Sequence, residues 1–301
     1  MSAWRVRAAE PAEAAALARL YATLTDPDAA TLLLPPAAFA RRLQADHPGG
    51  VRYWLAYRDR RPVGYASVSP APGLPGVYDL DGGVLPDHRR QGGGSRLLMA
   101  IVGALRAQGA RRQSHPTPSL DTQAARFLLS HDFVVGHREM QLQRADLEAL
   151  SVPALPPSIR LQTFARPVAA DHFRHLYEAA FRDSPWYQPY HSAAEVETEL
   201  DRATDLLFLT AGSRVVGFAW LRGPLDGVGE IEPIGLIPRW RGQGLGRVLL
   251  LAALDRQRRR GAARAQVALW RDNERALALY RSLDFRPVGQ RYFLERVLHS
   301  G

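Results

Sequence analysis

Three glycines at alternate positions, Gly242, Gly244 and Gly246, punctuate the stretch Ile234-Gly-Leu-Ile-Pro-Arg-Trp-Arg-Gly-Gln-Gly-Leu-Gly-Arg-Val-Leu-Leu250. An apolar run ends there in an arginine-and-glycine turn that opens into a leucine-rich segment, the order strand, turn, helix. Without Cβ atoms in the turn, successive backbone N–H groups can converge on an anion at the positive end of the helix, so the pattern predicts a pyrophosphate cradle. The construction occurs once before, at Val84-Leu-Pro-Asp-His-Arg-Arg-Gln-Gly-Gly-Gly-Ser-Arg-Leu-Leu98, with Arg89 on Arg241 and Pro86 on Pro238 at one offset of 152 residues. Just upstream of the second copy stand Glu230 and Glu232, two carboxylates that share a strand face with Ile234 and Leu236 unless a bulge intervenes. Pro233 and Gly235 would be faults in a regular ladder and suit a bulged strand that splays from its neighbour.

The elements that must position these residues also come twice. Strand 4–7, helices 12–24 and 37–45, strands 51–58, 62–69 and 77–85, helix 93–108, strand 111–115, helix 122–130 and extended residues 133–143 form the first series. Residues 147–158, with three prolines and no periodicity, read as a semi-rigid linker. The series then repeats: strand 159–164, helices 168–181 and 193–202, strands 205–210, 215–222 and 229–237, helix 245–260, strand 264–269, helix 273–283 and strand 286–296. Leu20-Tyr21 matches Leu176-Tyr177, Gly64-Tyr65-Ala66 matches Gly217-Phe218-Ala219, and Asp132-Phe133 matches Asp284-Phe285. A period this long is a duplicated domain, since solenoid units run about 20–50 residues. The expected organisation is therefore an N-terminal domain 1–146, a linker 147–158 and a C-terminal domain 159–301.

Composition narrows the chemistry. The 301 residues contain no cysteine, and all 39 basic residues are arginine, which removes thiolate nucleophiles, Schiff-base lysines and a P-loop lysine. The nine histidines include no pair at metal spacing, so no metal site is expected. No apolar run reaches the roughly 18 residues of a membrane span and the start lacks a signal-peptide core, which predicts a cytoplasmic protein with no membrane partner. A net charge of +9 suits an anionic ligand. It would suit nucleic acid as well, but the arginines are scattered without interleaved aromatics, and the one dense run, Arg258–Arg260, ends a predicted helix, where cations favour the macrodipole.

At this point the chain resembles the GNAT acyltransferase superfamily, whose acetyl-CoA motif follows a strand and opens a helix. Arg241-Gly-Gln-Gly-Leu-Gly246 and Arg89-Arg-Gln-Gly-Gly-Gly94 both carry it, and Asp272-Asn273-Glu-Arg-Ala276, Tyr280 and Asp284-Phe285 look like the superfamily's second cofactor segment. The tandem plan is similar to that of the mycothiol synthases. A dinucleotide fold fails on glycine spacing, and no Gly-Lys-Ser/Thr exists. The resemblance implies an α/β (α+β) fold of two tandem domains, each a mixed, mostly antiparallel, splayed sheet flanked by helices. It implies acetyl-CoA held by Ile234, Gly235, Leu236, Arg241, Gly242, Gln243, Gly244, Leu245, Gly246, Arg247, Asn273 and Ala276. In the first copy it implies Val84, Arg89, Arg90, Gln91, Gly92, Gly93 and Gly94.

Moving an acetyl group from a thioester to a primary amine needs a base for the ammonium, a donor for the developing oxyanion and an acid for the leaving thiolate. By the resemblance, Tyr280 is the acid beside the cofactor sulfur, and Glu230, which matches a glutamate placed near the acceptor amine, is the expected general base. A freed N–H near Leu236 is the oxyanion donor. The first copy offers Leu128, Tyr78 and Leu80 at the equivalent positions, so chemistry is expected in the second domain alone, with the first a structural or cofactor-holding partner. Glu232 and the aromatic segment Trp186, Tyr187 and Tyr190 are the expected acceptor wall. The competing readings are a non-catalytic acetyl-CoA sensor or scaffold and a nucleic-acid binder.

Overall fold

The computed structural model of the chain describes residues 3–24, 37, 39, 40, 43, 50–71, 74–148, 150, 154–184, 187–202 and 205–298. The helix expected at 37–45 and Trp186 lie largely or wholly outside them. The chain forms two compact units, Met1–Gly136 with Phe293–Gly301, and His137–Tyr292.

In the first unit β1 (Trp4–Ala8), β2 (Arg52–Arg58), β3 (Arg61–Pro70) and β4 (Val77–Val84) are antiparallel neighbours in that order, and β5 (Arg112–Thr117) runs parallel to β4. Helix α1 (Ala14–Leu24) packs on one face and α2 (Gly93–Arg106) with α3 (Gln123–Leu129) on the other, because each strand exposes alternate residues to each side. Tyr53 and Leu55 of β2 join the α1 core, whereas Trp54 and Ala56 join the α2 core.

The second unit repeats the plan. Strands β7 (Ile159–Gln162), β8 (Leu206–Ala211), β9 (Arg214–Leu225) and β10 (Val228–Leu236) are antiparallel, and β11 (Arg264–Trp270) is parallel to β10. Helices α4 (Arg166–Phe181) and α5 (Ala193–Glu199) cover the face presented by Phe218 and Trp220, and α6 (Leu245–Arg259) with α7 (Glu274–Arg281) covers the face of Ala219 and Leu221. Along α6 the buried residues Leu245, Leu249, Leu250, Ala253, Leu254 and Gln257 recur at the three- and four-residue spacing of one helical stripe. Arg258 and Arg259 end this helix, each paired with Asp255, at 3.0 and 2.7 Å, where a cation meets the negative end of the dipole. Among the described residues no helix is long and apolar enough to cross a membrane.

The linker at 147–158 separates the two sequence repeats, but the compact units are divided elsewhere. Residues Glu139–Arg144 of β6 (Val134–Arg144) pair antiparallel with Trp270–Ala265, so the end of the first repeat is part of the second unit. The final strand β12 (Arg286–Val297) contributes residues from Phe293 onward to the first unit, where Leu294 and Leu298 enter the core. The edge of β11 explains the first exchange, since a strand with an unpaired row of N–H and C=O groups is covered by the next strand available.

Candidate active site

The glycine turn of the second unit has the backbone of an anion cradle. Gly242 and Gly244 take φ of +76° and +77°, in the left-handed region that favours glycine, and a Cβ at either would meet no heavy atom within 4 Å. Gly244 is the N-cap of α6 and supplies no side chain to cap it, so the first N–H groups of the helix are left for a ligand. By contrast α3 and α7 are capped in the ordinary way, with the Ala125 and Ala276 N–H groups donating to Thr122 Oγ1 at 3.1 Å and Asn273 Oδ1 at 3.2 Å. Asn273 and Ala276 thus use these groups on one another.

The arginines of the turn divide into scaffold and free charge. Arg241 Nε donates to the Leu236 carbonyl at 2.9 Å and a terminal nitrogen donates to Ala180, pinning the turn to β10 and α4. Arg247 reaches the Ser282 hydroxyl at 2.9 Å. Burial, and then the charge of the nearby Arg275, lower the pKa of the Arg241 guanidinium. Glycine conformation, uncapped N–H groups and surplus positive charge fit a pyrophosphate.

The first copy has the same turn. Arg90 and Gly92 take φ of 60° and +84°, Arg89 Nε donates to the Val84 carbonyl at 2.8 Å, and Gln91 Nε2 donates to Asp87 O at 3.1 Å as Gln243 does to Arg239 O at 3.1 Å. One glycine has a different reason there. A Cβ on Gly93 would come within 2.3 Å of the Trp4 ring, so packing requires that glycine.

The two halves part at the strand before the turn. β4 pairs with β3 from Val84 to Tyr78 with no register shift. On β10, Ile231 faces Leu221 and Ile234 faces Ala219, so Glu232 and Pro233 together oppose the single residue Trp220, a β-bulge. The extra residue reverses the alternation. Ile231, Ile234 and Leu236 face the α6 core, while Glu230, paired with Arg222, faces α4 and α5, so the carboxylate does not share the face of Ile234 and Leu236.

The other edge of β10 opens at the same place. Its parallel ladder with β11 runs Val228 to Arg264, Gly229 to Ala265 and Glu230 to Gln266 and goes no further. Across this splay the Ala268 backbone N–H lies near enough to Glu232 to oppose the rise of its carboxyl pKa. Gln257 of α6 braces the start of the opening, its amide nitrogen donating to the carbonyls of Arg222 at 2.9 Å and Glu230 at 2.8 Å.

Glu230, Glu232 and Pro233 line a cavity of about 280 Å³ with Tyr177, Tyr190 and Arg222. Burial pushes the pKa of Glu232 up to about 8, with the charges of Glu230 and Glu139 adding to it and Arg222 and the Ala268 N–H opposing it. Burial likewise raises Tyr177 to about 12 and raises Tyr190, whose hydroxyl donates to Glu199 at 3.5 Å. Glu199 also receives a bond from Arg222 at 3.2 Å. Tyr280 is buried against Phe285, and its pKa is raised by burial and then by the charge of Glu232, which places both in one electrostatic neighbourhood.

The structure therefore gathers Glu230, Glu232 and Tyr190, with Tyr280 coupled to Glu232. Tyr187 packs on Tyr177, 5.7 Å between centroids, behind the cavity. Tyr177, Arg222, Glu199 and Glu139 escaped sequence reasoning. Tyr177 was visible only as a marker of the repeat, and Glu139 stands in the first repeat, from which β6 delivers it.

A raised carboxyl has a consequence for stability. Folded Glu232 holds its proton up to about 8, whereas the unfolded chain releases it near 4.5, so between these values the folded state binds more protons and loses stability as pH rises. Glu232→Gln is expected to remove that loss. Its melting temperature should exceed that of the parent by a few degrees at pH 8 and match it at pH 5, and thermal melts at the two values check this.

Two segments, residues 17–133 and 170–285, match the model of the acetyltransferase (GNAT) family. A mycothiol acetyltransferase of Nocardia farcinica is 32% identical over 260 residues, covering 82% of this chain and 83% of the relative. One from Thermobifida fusca is 29% identical over 308 residues, covering 91% and 92%. In fold the chain is similar to a GCN5-related N-acetyltransferase from Sphaerobacter thermophilus, with a TM-score of 0.70 at 20% identity over 99% of this chain and 96% of the other. It is also similar to a tandem GNAT protein from the clavulanic acid biosynthesis pathway, with a TM-score of 0.66 at 17% identity over 99% and 100%. The chain belongs to the GNAT family and is an N-acetyltransferase that uses acetyl-CoA.

Proposed function

We propose that the C-terminal half alone carries turnover, moving an acetyl group to the primary amine of a small molecule by direct attack in a ternary complex. The observation that carries this is Glu232, a half-buried carboxylate with its pKa pushed up to about 8 on the wall of an open cavity, in the one half where the strand before the turn is bulged. Acetyl-CoA supplies the activated thioester. The N–H groups of residues 242–246 hold its pyrophosphate, since that of Arg241 is donated to Pro238 O, and the N–H groups freed where β10 leaves β11 receive the pantetheine arm. Glu230 draws the protonated amine into the cavity, and Glu232 accepts its proton, directly or through a water. Tyr280 returns a proton to the thiolate, and Tyr190 and Tyr177 form the aromatic wall for the acceptor. The relatives named mycothiol acetyltransferases support a small-molecule acceptor, and enzyme, coenzyme and acceptor are assigned to the cytoplasm. The first domain keeps its cradle as a coenzyme-holding partner without a base or a tyrosine acid. A screen of primary amines with detection of free CoA tests the activity: acceptor-dependent CoA release supports it, and acetyl-CoA binding without release for any amine favours a sensor.

Removal of the Tyr280 hydroxyl separates the two proton transfers. Tyr280→Phe leaves the ring packed on Phe285 and is expected to lower kcat by about 10²-fold with little change in acetyl-CoA affinity, as for a lost general acid. Pre-steady-state CoA release is the measurement, and an unchanged rate would remove Tyr280 from the mechanism.

A further inference from the structure

The second unit contains another cavity, of about 310 Å³, formed by His172 and His175 of α4, Ser213 and Arg214 at the β8–β9 turn, and Arg239 and Trp240 just before the cradle. Its charge is one-sided. Among the described residues the Arg214 side chain makes no hydrogen bond or ion pair, and the Arg239 side chain meets the Trp240 ring, 5.7 Å from its centroid. On α4, Asp171 is already engaged by Arg174 at 3.9 Å and His175 at 3.4 Å, and Glu178 is paired with Arg182. The segments 211–215 and 238–240 carry no carboxylate. The two guanidinium groups of Arg214 and Arg239 thus share a concave surface with Ser213 and His172, while His175 is engaged by Asp171 and Arg174.

The first repeat shows that the scaffold does not require this set. Asp87 stands at the position of Arg239, and Ala16 and Arg19 at those of His172 and His175, while Arg60 and Arg61 stand at those of Ser213 and Arg214, counting from the matched pairs Arg89 with Arg241, Leu20 with Leu176 and Gly64 with Gly217. The glycine turn is preserved in both copies, whereas Asp87 replaces Arg239 and Ala16 replaces His172 in the first, so this combination of side chains belongs to the second unit.

We propose that this cavity binds a phosphate monoester. Planar guanidinium forks fit a phosphate's oxygens bidentately, and a serine hydroxyl adds a donor of the kind phosphate accepts. The volume is larger than a bare phosphate needs and lies at the lower end for small-molecule sites, so the ligand is a small phosphorylated molecule. Two sources offer the same chemistry: the ribose phosphate of the coenzyme, an assignment that rests on the proposed cradle, or a separate phosphorylated metabolite.

The test uses the full-length protein with ¹³C-labelled histidine. Inorganic phosphate is titrated at fixed ionic strength, and the His172 and His175 signals are followed by NMR. The parent should show saturable shifts, and the Arg214→Gln, Arg239→Gln double variant should bind phosphate at least about tenfold more weakly, the loss expected when a charge-assisted bond is removed. A control, Arg281→Gln, should behave as the parent. Calorimetry with acetyl-CoA and acetyl-dephospho-CoA then separates the sources. A tenfold loss confined to acetyl-CoA assigns the cavity to the coenzyme's phosphate, and unchanged affinity for both assigns it to a separate ligand. Shifts that chloride reproduces, or that persist undiminished in the double variant, would overturn the site, and neither result depends on catalysis.

Discussion

Replacing Glu232 by glutamine is expected to lower kcat/KM by about 10²–10⁴-fold at pH 8, the range for loss of a general base, and to abolish the rising limb of the pH profile near 8. The parent must release the Glu232 proton before the carboxylate can accept one, so its rate climbs through the raised pKa. With an alkyl amine acceptor, which titrates near 10 as a lysine side chain does, the two ionisations separate in the profile. Glutamine keeps the size and a hydrogen-bond-accepting oxygen, which isolates the charge from the packing. The profile is measured with an acceptor of that kind from the amine screen. A variant that retains both the limb and the rate would transfer the base role to Glu230.

The second large effect concerns the coenzyme. Gly244→Val is expected to weaken acetyl-CoA binding by about 10²-fold, because a β-branched residue at φ +77° is strained by the order of 1–3 kcal/mol and its side chain stands where the pyrophosphate approaches. No protein atom lies within 4 Å of the added Cβ, so the fold survives. Isothermal titration gives the affinity and a thermal melt confirms folding. Unchanged affinity would mean that the turn is not the cradle.

The glycine turn was legible in the sequence because its cause is local: glycines, a helix start and a preceding strand are neighbours along the chain. The duplication was legible for the same reason. The cavity lined by Glu230 and Glu232 was only half legible. Glu230 and Glu232 stood out by their spacing, but which of them is tuned depends on burial and on Glu139 and Arg222, which arrive from other strands. Pro233 announced a bulge, although its effect on the facing of Glu230 needed the register with β9. Tyr177 carries no local mark distinguishing it from a core aromatic. The exchange of β6 into the second unit was hidden because linker composition reports where repeats meet, whereas strand pairing decides where units divide. Asn273 matched a cofactor motif, and in the structure it is also the N-cap of α7.

The most direct measurement of whether one half does the chemistry compares Gly244→Val with Gly92→Val, the same change in the two copies of the turn, by steady-state CoA release at saturating amine. The expected result is that Gly244→Val raises the KM for acetyl-CoA by about 10²-fold while Gly92→Val leaves kcat and KM within about twofold of the parent. Loss of turnover on Gly92→Val with activity retained in Gly244→Val would contradict the account and move catalysis to the first domain.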